Sequence, residues 1–256
     1  GQLRRLERLW RDHTTRHIRH WLPQATAILT NSRYTEKVLL ERIPGCRGKT
    51  IPAMVGVDPF FLEPPLAPDE KPKVPQLITV TRLSEPRKNV HRVIEALARL
   101  RYRHPFHYTV VGEGNQRPEL ERLVERKGLC GRVTFTGSLP RPALRERLRR
   151  ADLFILTASV LPTSHEGFGL VYLEAAACGV PSLAARLAGA AEAVAEGESG
   201  YFVDEPTVAA IADALSRFLE GELRFSRTRC RAFARQFGWE RVVERALPFY
   251  LQGARL

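Results

Sequence analysis

The sequence predicts an α/β fold built on a doubly wound parallel sheet, and three observations predict it. Short apolar runs of strand length, such as LFIL at 153–156 and SLA at 182–184, alternate with longer segments of helical spacing. Strand, loop, helix, strand is the grammar of βαβ units, whose strands lie parallel. Glycines stand in the loops after the strands, at Gly112 and Gly114, at Gly137, and at Gly167 and Gly169. The 256 residues, 44% of them apolar, are enough to bury one large or two small cores.

The central unit is the stretch 162–181, PTSHEGFGLVYLEAAACGVP. A loop carries Glu166, then Gly167, Phe168 and Gly169. A helix is predicted over 170–178, with Glu174 inside it and Gly179 and Pro181 ending it. In an open parallel sheet ligands bind outside the carboxyl ends of the strands, where this loop falls. The N–H groups from Gly167 to Leu170 open the helix, and a helix start attracts anions. Eight helical residues would put the two carboxylates about 12 Å apart. That exceeds the roughly 5 to 9.5 Å of a glycosidase pair acting across one bond. Two readings remain at this point. The carboxylates grip two ends of a long ligand such as a nucleotide diphosphate sugar, with phosphate at the glycines. Alternatively, Glu174 pairs with a basic neighbour and Glu166 is a solvated loop residue.

The other elements follow in order. Residues 2–22 are basic and amphipathic, with Leu3, Leu6, Trp10, Ile18, Trp21 and Leu22 near helical spacing. Such a helix suits either an anionic membrane surface or ordinary docking on a neighbouring strand. A strand is expected at 25–30, a helix at 33–42 after Asn31-Ser32, and a strand at 50–52. Residues 62–75, LEPPLAPDEKPKVP, read as a linker because proline disfavours helix and central strand. A strand at 76–81 leads to Arg82 and Lys88, then a helix at 90–101 with Asn89 as its N-cap. Strands follow at 107–112 and 132–136, with a helix at 117–127 entered through Pro118 between them. The third glycine of a dinucleotide fingerprint is missing after Gly112 and Gly114, so that turn is not an NAD site. A basic helix at 142–151 is expected to be mostly a solvated face. A strand at 201–203 precedes helices at 207–219, 224–237 and 239–251. Trp239, Val242, Val243, Leu247 and Tyr250 are expected on one face of the last.

Several segments together resemble a known family. Glu166-Gly-Phe-Gly-Leu-x-x-x-Glu174-Ala, preceded by Pro162 and followed by Gly179-Val-Pro, resembles the E-x7-E signature of family 4 retaining glycosyltransferases, which have the GT-B fold. Arg82 and Lys88 are similar to the Arg and Lys that hold the donor diphosphate. Residues 132–137 resemble a strand, with Val133 and Gly137, whose backbone faces the nucleobase. LAGAAE at 187–192 resembles a G-G-x-x-E loop, with Ala188 in place of the first glycine and Glu192 read as structural or solvated. Val55-Gly-Val-Asp58 is similar to a segment closing the first domain, with Val55 where Asn is usual.

The resemblance implies a division of the chain. Residues 1–61 are the end of an incomplete acceptor domain and 62–75 the linker. Residues 76–238 are the Rossmann-like donor domain, and 239–256 a helix crossing back to the first. Further expectations are a nucleotide-diphosphate sugar as substrate and a glycan or lipid-linked acceptor. The remainder of the acceptor half would be supplied by a missing N-terminal domain or a partner chain. Arg82, Lys88 and Glu166 would be catalytic. Gly167, Phe168, Gly169, Leu170, Glu174, Val133 and Gly137 would bind donor, Glu174 through the ribose. Fixed cations stabilise a leaving diphosphate without a metal, each charge-assisted bond contributing roughly 1.5 to 3 kcal/mol.

Composition limits the alternatives. Cys46, Cys130, Cys178 and Cys230 form no C-x-x-C pair, so no metal, cofactor or disulfide framework is expected. A cytoplasmic setting follows, peripheral on the inner membrane face if the first helix binds lipid. The net charge of +12 is spread over most helices rather than gathered in one arm, so nucleic acid is not an expected partner. Two rivals stand: a non-catalytic nucleotide-sugar-binding module or split-enzyme subunit, and a basic nucleic-acid-binding domain. Nucleic-acid affinity would fall linearly with salt on a log–log scale and ignore Glu174→Ala, whereas donor binding would fail in that variant.

Overall fold

Six parallel strands form the main sheet of the computed structural model, which describes residues 14–63 and 72–253. The strands are β3 (Gln76–Val80), β4 (His107–Val111), β5 (Val133–Gly137), β6 (Leu153–Leu156), β7 (Ser182–Ala185) and β8 (Gly200–Val203). Their order is β5-β4-β3-β6-β7-β8, every pair parallel. The chain therefore winds outward from β3 in one direction and restarts at β6 in the other. That reversal makes the switch point of a doubly wound sheet.

Burial on both faces explains the apolar runs. In β6, Leu153 and Ile155 enter one core while Phe154 and Leu156 enter the other. Leu77 and Ile78 divide in the same way in β3. Strands covered on both sides need apolar residues at every position, so alternation with polar residues is absent. The helices α4 (Val90–Leu100), α5 (Arg117–Arg126) and α9 (Val208–Leu219) cover one face. The helices α6 (Arg141–Arg150), α7 (Leu170–Ala177) and α10 (Arg227–Arg235) cover the other. Cys178 is 1% exposed in that second core, and burial pushes its thiol up to about 12, as suits a packing residue.

A second, two-stranded parallel sheet pairs β1 (Ile28–Thr30) with β2 (Thr50–Pro52). Residues 14–21 are helical (α1), and α2 (Arg33–Arg42) connects the two strands. Strand β1 is shorter than expected, since residues 25–27 that follow a 3₁₀ turn at 22–24 are not yet paired in the sheet. A short helix, α3 (Pro59–Leu62), is capped by Asp58, whose Oδ1 accepts the Phe60 N–H at 2.9 Å. The expected first helix before residue 14 and the linker's middle, residues 64–71, lie outside the described residues.

Helix α6 is mostly exposed, as expected of a basic helix, but its buried edge also holds the chain. Arg145 donates to the Phe60 carbonyl at 2.7 Å, Arg149 donates to the Glu63 carbonyl at 2.5 Å, and Leu148 is fully buried. These arginines grip the chain where it leaves the small sheet, and the Arg145 guanidinium also stacks on the Phe60 ring at 3.8 Å. The terminal helix, α11 (Trp239–Gly253), does reach the small sheet: Arg245 donates to the Ala53 carbonyl at 3.4 Å. Its expected apolar face is only partly used. Ala246 is buried, whereas Val243 is 54% and Tyr250 68% exposed.

Candidate functional site

The switch point carries the candidate site. The loop after β3 turns toward α4 on one face, and the loop after β6 runs toward α7 on the other. Their divergence opens a crevice at the carboxyl ends of the strands. The two loops are joined across it. Ser159 N–H donates to the Arg87 carbonyl at 2.7 Å. Asn89 Nδ2 donates to the Thr157 carbonyl at 2.6 Å and to Ser159 Oγ at 2.8 Å. Asn89 therefore stands at the N-cap position of α4 without capping it. Its φ of 57° is left-handed, a conformation Asn tolerates, and its amide is turned to the neighbouring loop instead.

Lys88 and Glu166, far apart in sequence, meet here. Lys88 Nζ lies 2.5 Å from Glu166 Oε2, and both side chains are largely buried. Arg87 stands beside them. Its Nε donates to Ser164 Oγ at 2.7 Å, its Nη2 pairs with Glu85 at 2.6 Å, and its Nη1 lies 3.8 Å from Glu166. Glu85 also pairs with Arg82 at 2.9 Å, whose side chain is 80% exposed. The predicted Arg82, Lys88 and Glu166 thus belong to one charge network, and the residue missed is Arg87. As one of 40 lysines and arginines it carried no signal of its own. Only the 3₁₀ turn over Pro86–Lys88 brings consecutive cations to the opposite loop.

The glycine loop is held by contact as well as conformation. Gly169 has φ 91° and ends the loop at α7. Phe168 is 2% exposed and packs on Phe237 at 5.7 Å, while Leu170 is 41% exposed. Among the described residues, the backbone N–H groups of residues 167–171 donate no hydrogen bond. Unpartnered N–H groups at a helix start, with the positive end of the dipole, form an anion cradle. Behind the loop, a Cβ on Gly189 would lie 2.1 Å from the Gly167 carbonyl oxygen. Gly189→Ala must therefore push the cradle out of place. We expect about 1–3 kcal/mol of lost stability on urea unfolding, as for other overpacked sites.

Helix α2 leans on the same loop. Glu192 accepts the Arg33 N–H at 3.0 Å and the Tyr34 N–H at 2.8 Å, so it satisfies the first turn of α2 together with Ser32. Glu192 is thus structural, a cap supplied from 158 residues away. Arg42 donates to the Pro162 carbonyl at 3.0 Å, and the Tyr34 ring meets His165 edge-on at 5.1 Å. Glu192→Ala should cost about 1 kcal/mol, the usual value of a lost cap, read as a lower urea midpoint.

Glu174 lies one turn into α7, and among the described residues its carboxylate takes no hydrogen bond or ion pair. Burial pushes its carboxyl above the ordinary range, with Arg141 opposing the shift and Asp58 adding to it. A cleft of about 460 Å³ opens at the carboxyl ends of β3, β4 and β5, lined by Arg82, Gly112, Glu113, Ser138 and Leu144 among others. Gly137 closes β5 at this end, and its carbonyl accepts the Gly112 N–H at 2.9 Å. Val133 is not brought here. It begins β5, paired with Tyr108, at the amino end of the sheet. A second hollow of about 430 Å³ is lined by Ile18, Arg19, Val38, Leu39, Arg42 and His165. The His165 imidazole sits below its ordinary value through burial, with Arg42 and Arg87 adding to the shift. Among the described residues no cluster of His, Cys, Asp or Glu could hold a metal ion.

The sequence profile of the glycosyl transferases group 1 matches residues 65–237, more than half of the chain. The chain belongs to this family. It is 38% identical over 186 residues to a glycogen synthase of Mycobacterium tuberculosis, covering 70% of this chain and 43% of that protein. Over 197 residues it is 33% identical to the GDP-mannose-dependent alpha-(1-6)-phosphatidylinositol monomannoside mannosyltransferase of Mycolicibacterium smegmatis, covering 73% of this chain and 51% of that one. The chain thus spans about half, or less, of the length of these relatives. Its fold matches sucrose-phosphate synthase of Thermosynechococcus elongatus with a TM-score of 0.78 at 24% identity, covering 94% of this chain and 61% of that one. The six-stranded sheet is accordingly the Rossmann-like sheet of a GT-B architecture.

Proposed function

We propose that this group 1 glycosyl transferase chain carries the donor site of a retaining, family 4 enzyme. It binds a nucleotide-diphosphate sugar and passes the sugar to a glycan or lipid-linked acceptor. One observation carries the reading: Lys88, Arg87, Glu166 and five unpartnered N–H groups, residues 167–171, converge at the sheet's switch point. An anion cradle beside cations and a carboxylate suits a diphosphate with a polyhydroxyl group attached. The GDP-mannose dependence in one relative's name agrees with such a donor.

In this reading the diphosphate rests on the N–H groups of the loop, with Lys88 and Arg82 as its cations. Their positive charge stabilises the negative charge that builds on the leaving group, so no metal is required. Glu166 orients the sugar hydroxyls. Glu174 takes the ribose hydroxyls, and the cleft between Arg82 and Leu144 takes the base, with Gly137 next to its lining residue Ser138. Residues up to 61 then belong to the acceptor side, joined through 62–75 to a donor domain over 76–238. Helix α11 spans back to the acceptor side. The rest of that side comes from a preceding domain or a second chain.

The acceptor end of the reading rests on the hollow beside His165. Its apolar wall of Ile18, Val38 and Leu39, with Arg19 and Arg42, suits an amphiphile with an anionic group. Exposure of Ile18 at 49% and Trp21 at 59% favours contact with the inner face of a membrane. No helix among the described residues is long and apolar enough to cross one. The test is product analysis. Donor sugars of each base are incubated with the protein and a lipid-phosphate or glycan acceptor, and the anomeric proton of the product is read by NMR. An α product from an α donor supports retention, and a β product overturns it.

A further inference from the structure

Glu166 has two cations and satisfies one of them. Its Oε2 takes Lys88 Nζ at 2.5 Å, while Arg87 Nη1 stands 3.8 Å from that same oxygen. Arg87 is 94% buried by its side-chain exposure of 6%, and Nη1 has no hydrogen-bond partner. Buried charged donors are rarely left unpaired in native structures. The rest of the guanidinium is fixed, Nε by Ser164 and Nη2 by Glu85, and the Arg87 carbonyl is held by Ser159 N–H. The free donor is therefore a rigid, pre-aimed group beside an anion that is otherwise engaged.

Lys88 is its opposite in mechanics, a point charge on a flexible stem. To reach a phosphate it must leave Glu166. That would strand a carboxylate whose side chain is only 15% exposed, a costly state for a buried charge. A movement of Glu166 by about 1 Å brings its Oε2 within hydrogen-bond reach of Arg87 Nη1. We infer that Arg87 is a positioning residue that takes over Glu166 when Lys88 turns to the donor diphosphate. Glu166 exchanges partners as the site fills. This rests on the proposed role of Lys88 as a diphosphate ligand. The exchange couples the two ends of the ligand: phosphate arrival releases Glu166 from Lys88 and fixes it on Arg87, ready for the sugar.

The experiment measures affinities for UDP, GDP and ADP by calorimetry. It compares the wild-type chain, Glu166→Gln, Arg87→Lys and the double variant. Removing the carboxylate frees Lys88, so Glu166→Gln should bind the preferred diphosphate about threefold tighter or more. Arg87→Lys cannot hold Glu166 in the bidentate-capable fork, and binding should weaken about tenfold. The double variant should return to the Glu166→Gln affinity, which a merely structural role of Arg87 would not produce. Weaker or unchanged binding by Glu166→Gln overturns the exchange, as does a folded double variant as weak as Arg87→Lys. Should Arg87→Lys fail to fold, Glu166→Gln alone decides. If the wild-type chain binds none of the three, the donor reading itself fails and the exchange with it.

Discussion

Glu174→Gln melts higher than the wild-type chain at pH 7 and binds its donor about 10- to 100-fold more weakly. The two halves of this result have one cause. Burial raises the Glu174 carboxyl above its ordinary range, so between the unfolded and the folded titration the folded chain keeps a proton that the unfolded chain has released. Where the native state binds more protons, stability falls as pH rises. The carboxylate therefore costs stability at every pH above its native titration, and a neutral amide removes that cost. Below the ordinary carboxylate range both states are protonated and the advantage vanishes. Thermal melts of both proteins from pH 7 down to pH 3 check this sign, with the gap closing toward acid. In the proposed donor site the affinity loss is that of one charge-assisted hydrogen bond to a ribose hydroxyl, roughly 1.5–3 kcal/mol. In the proposed donor site the ligand supplies the partner that Glu174 does not find among the described residues.

Lys88→Met lowers turnover about 100- to 1,000-fold, the range seen when one fixed donor to a developing anion is removed. A nucleoside diphosphate gains negative charge as the sugar leaves, and in the proposed site Lys88, its side chain 11% exposed, turns from Glu166 onto it. Binding separates this from general damage to the loop. The variant should lose affinity for a nucleoside diphosphate while its affinity for the free nucleoside, which has no phosphate to meet, stays the same. Equal loss for both ligands would show that Lys88 serves the loop's shape alone. Kinetics at saturating donor, set beside calorimetry with the two ligands, gives both readings.

The parts of the molecule legible in sequence are those whose cause is local or periodic. Strands such as β6 are buried on both faces and therefore read as apolar runs, while α4 shows its buried stripe of Val93, Ile94 and Leu97 directly. The E-x7-E segment was legible because loop, cradle and helix are consecutive. What escaped depends on partners distant in sequence. Asn89 looks like a cap until the loop after β6 competes for its amide. Arg145 and Arg149 look solvated until residues 60–63 fold over them. Glu192 shows its purpose only once α2 starts against it. Val133 and Gly137 share a strand, but a strand has two ends, and only Gly137 is at the carboxyl edge where the loops of the candidate site lie. Arg87 stayed hidden because its meaning lies in an empty donor aimed at Glu166, a relation between side chains that no spacing rule encodes.

Calorimetric titration of the purified chain decides whether the switch point of this sheet binds a nucleotide-diphosphate sugar, as proposed. UDP-, GDP- and ADP-sugars are titrated at moderate salt, with Glu174→Ala run beside the wild type. Saturable binding at one site per chain is expected for donors of a single base, and its loss is expected in the variant. Binding of none of the donors by a folded chain, or binding that Glu174→Ala leaves unchanged, would contradict it.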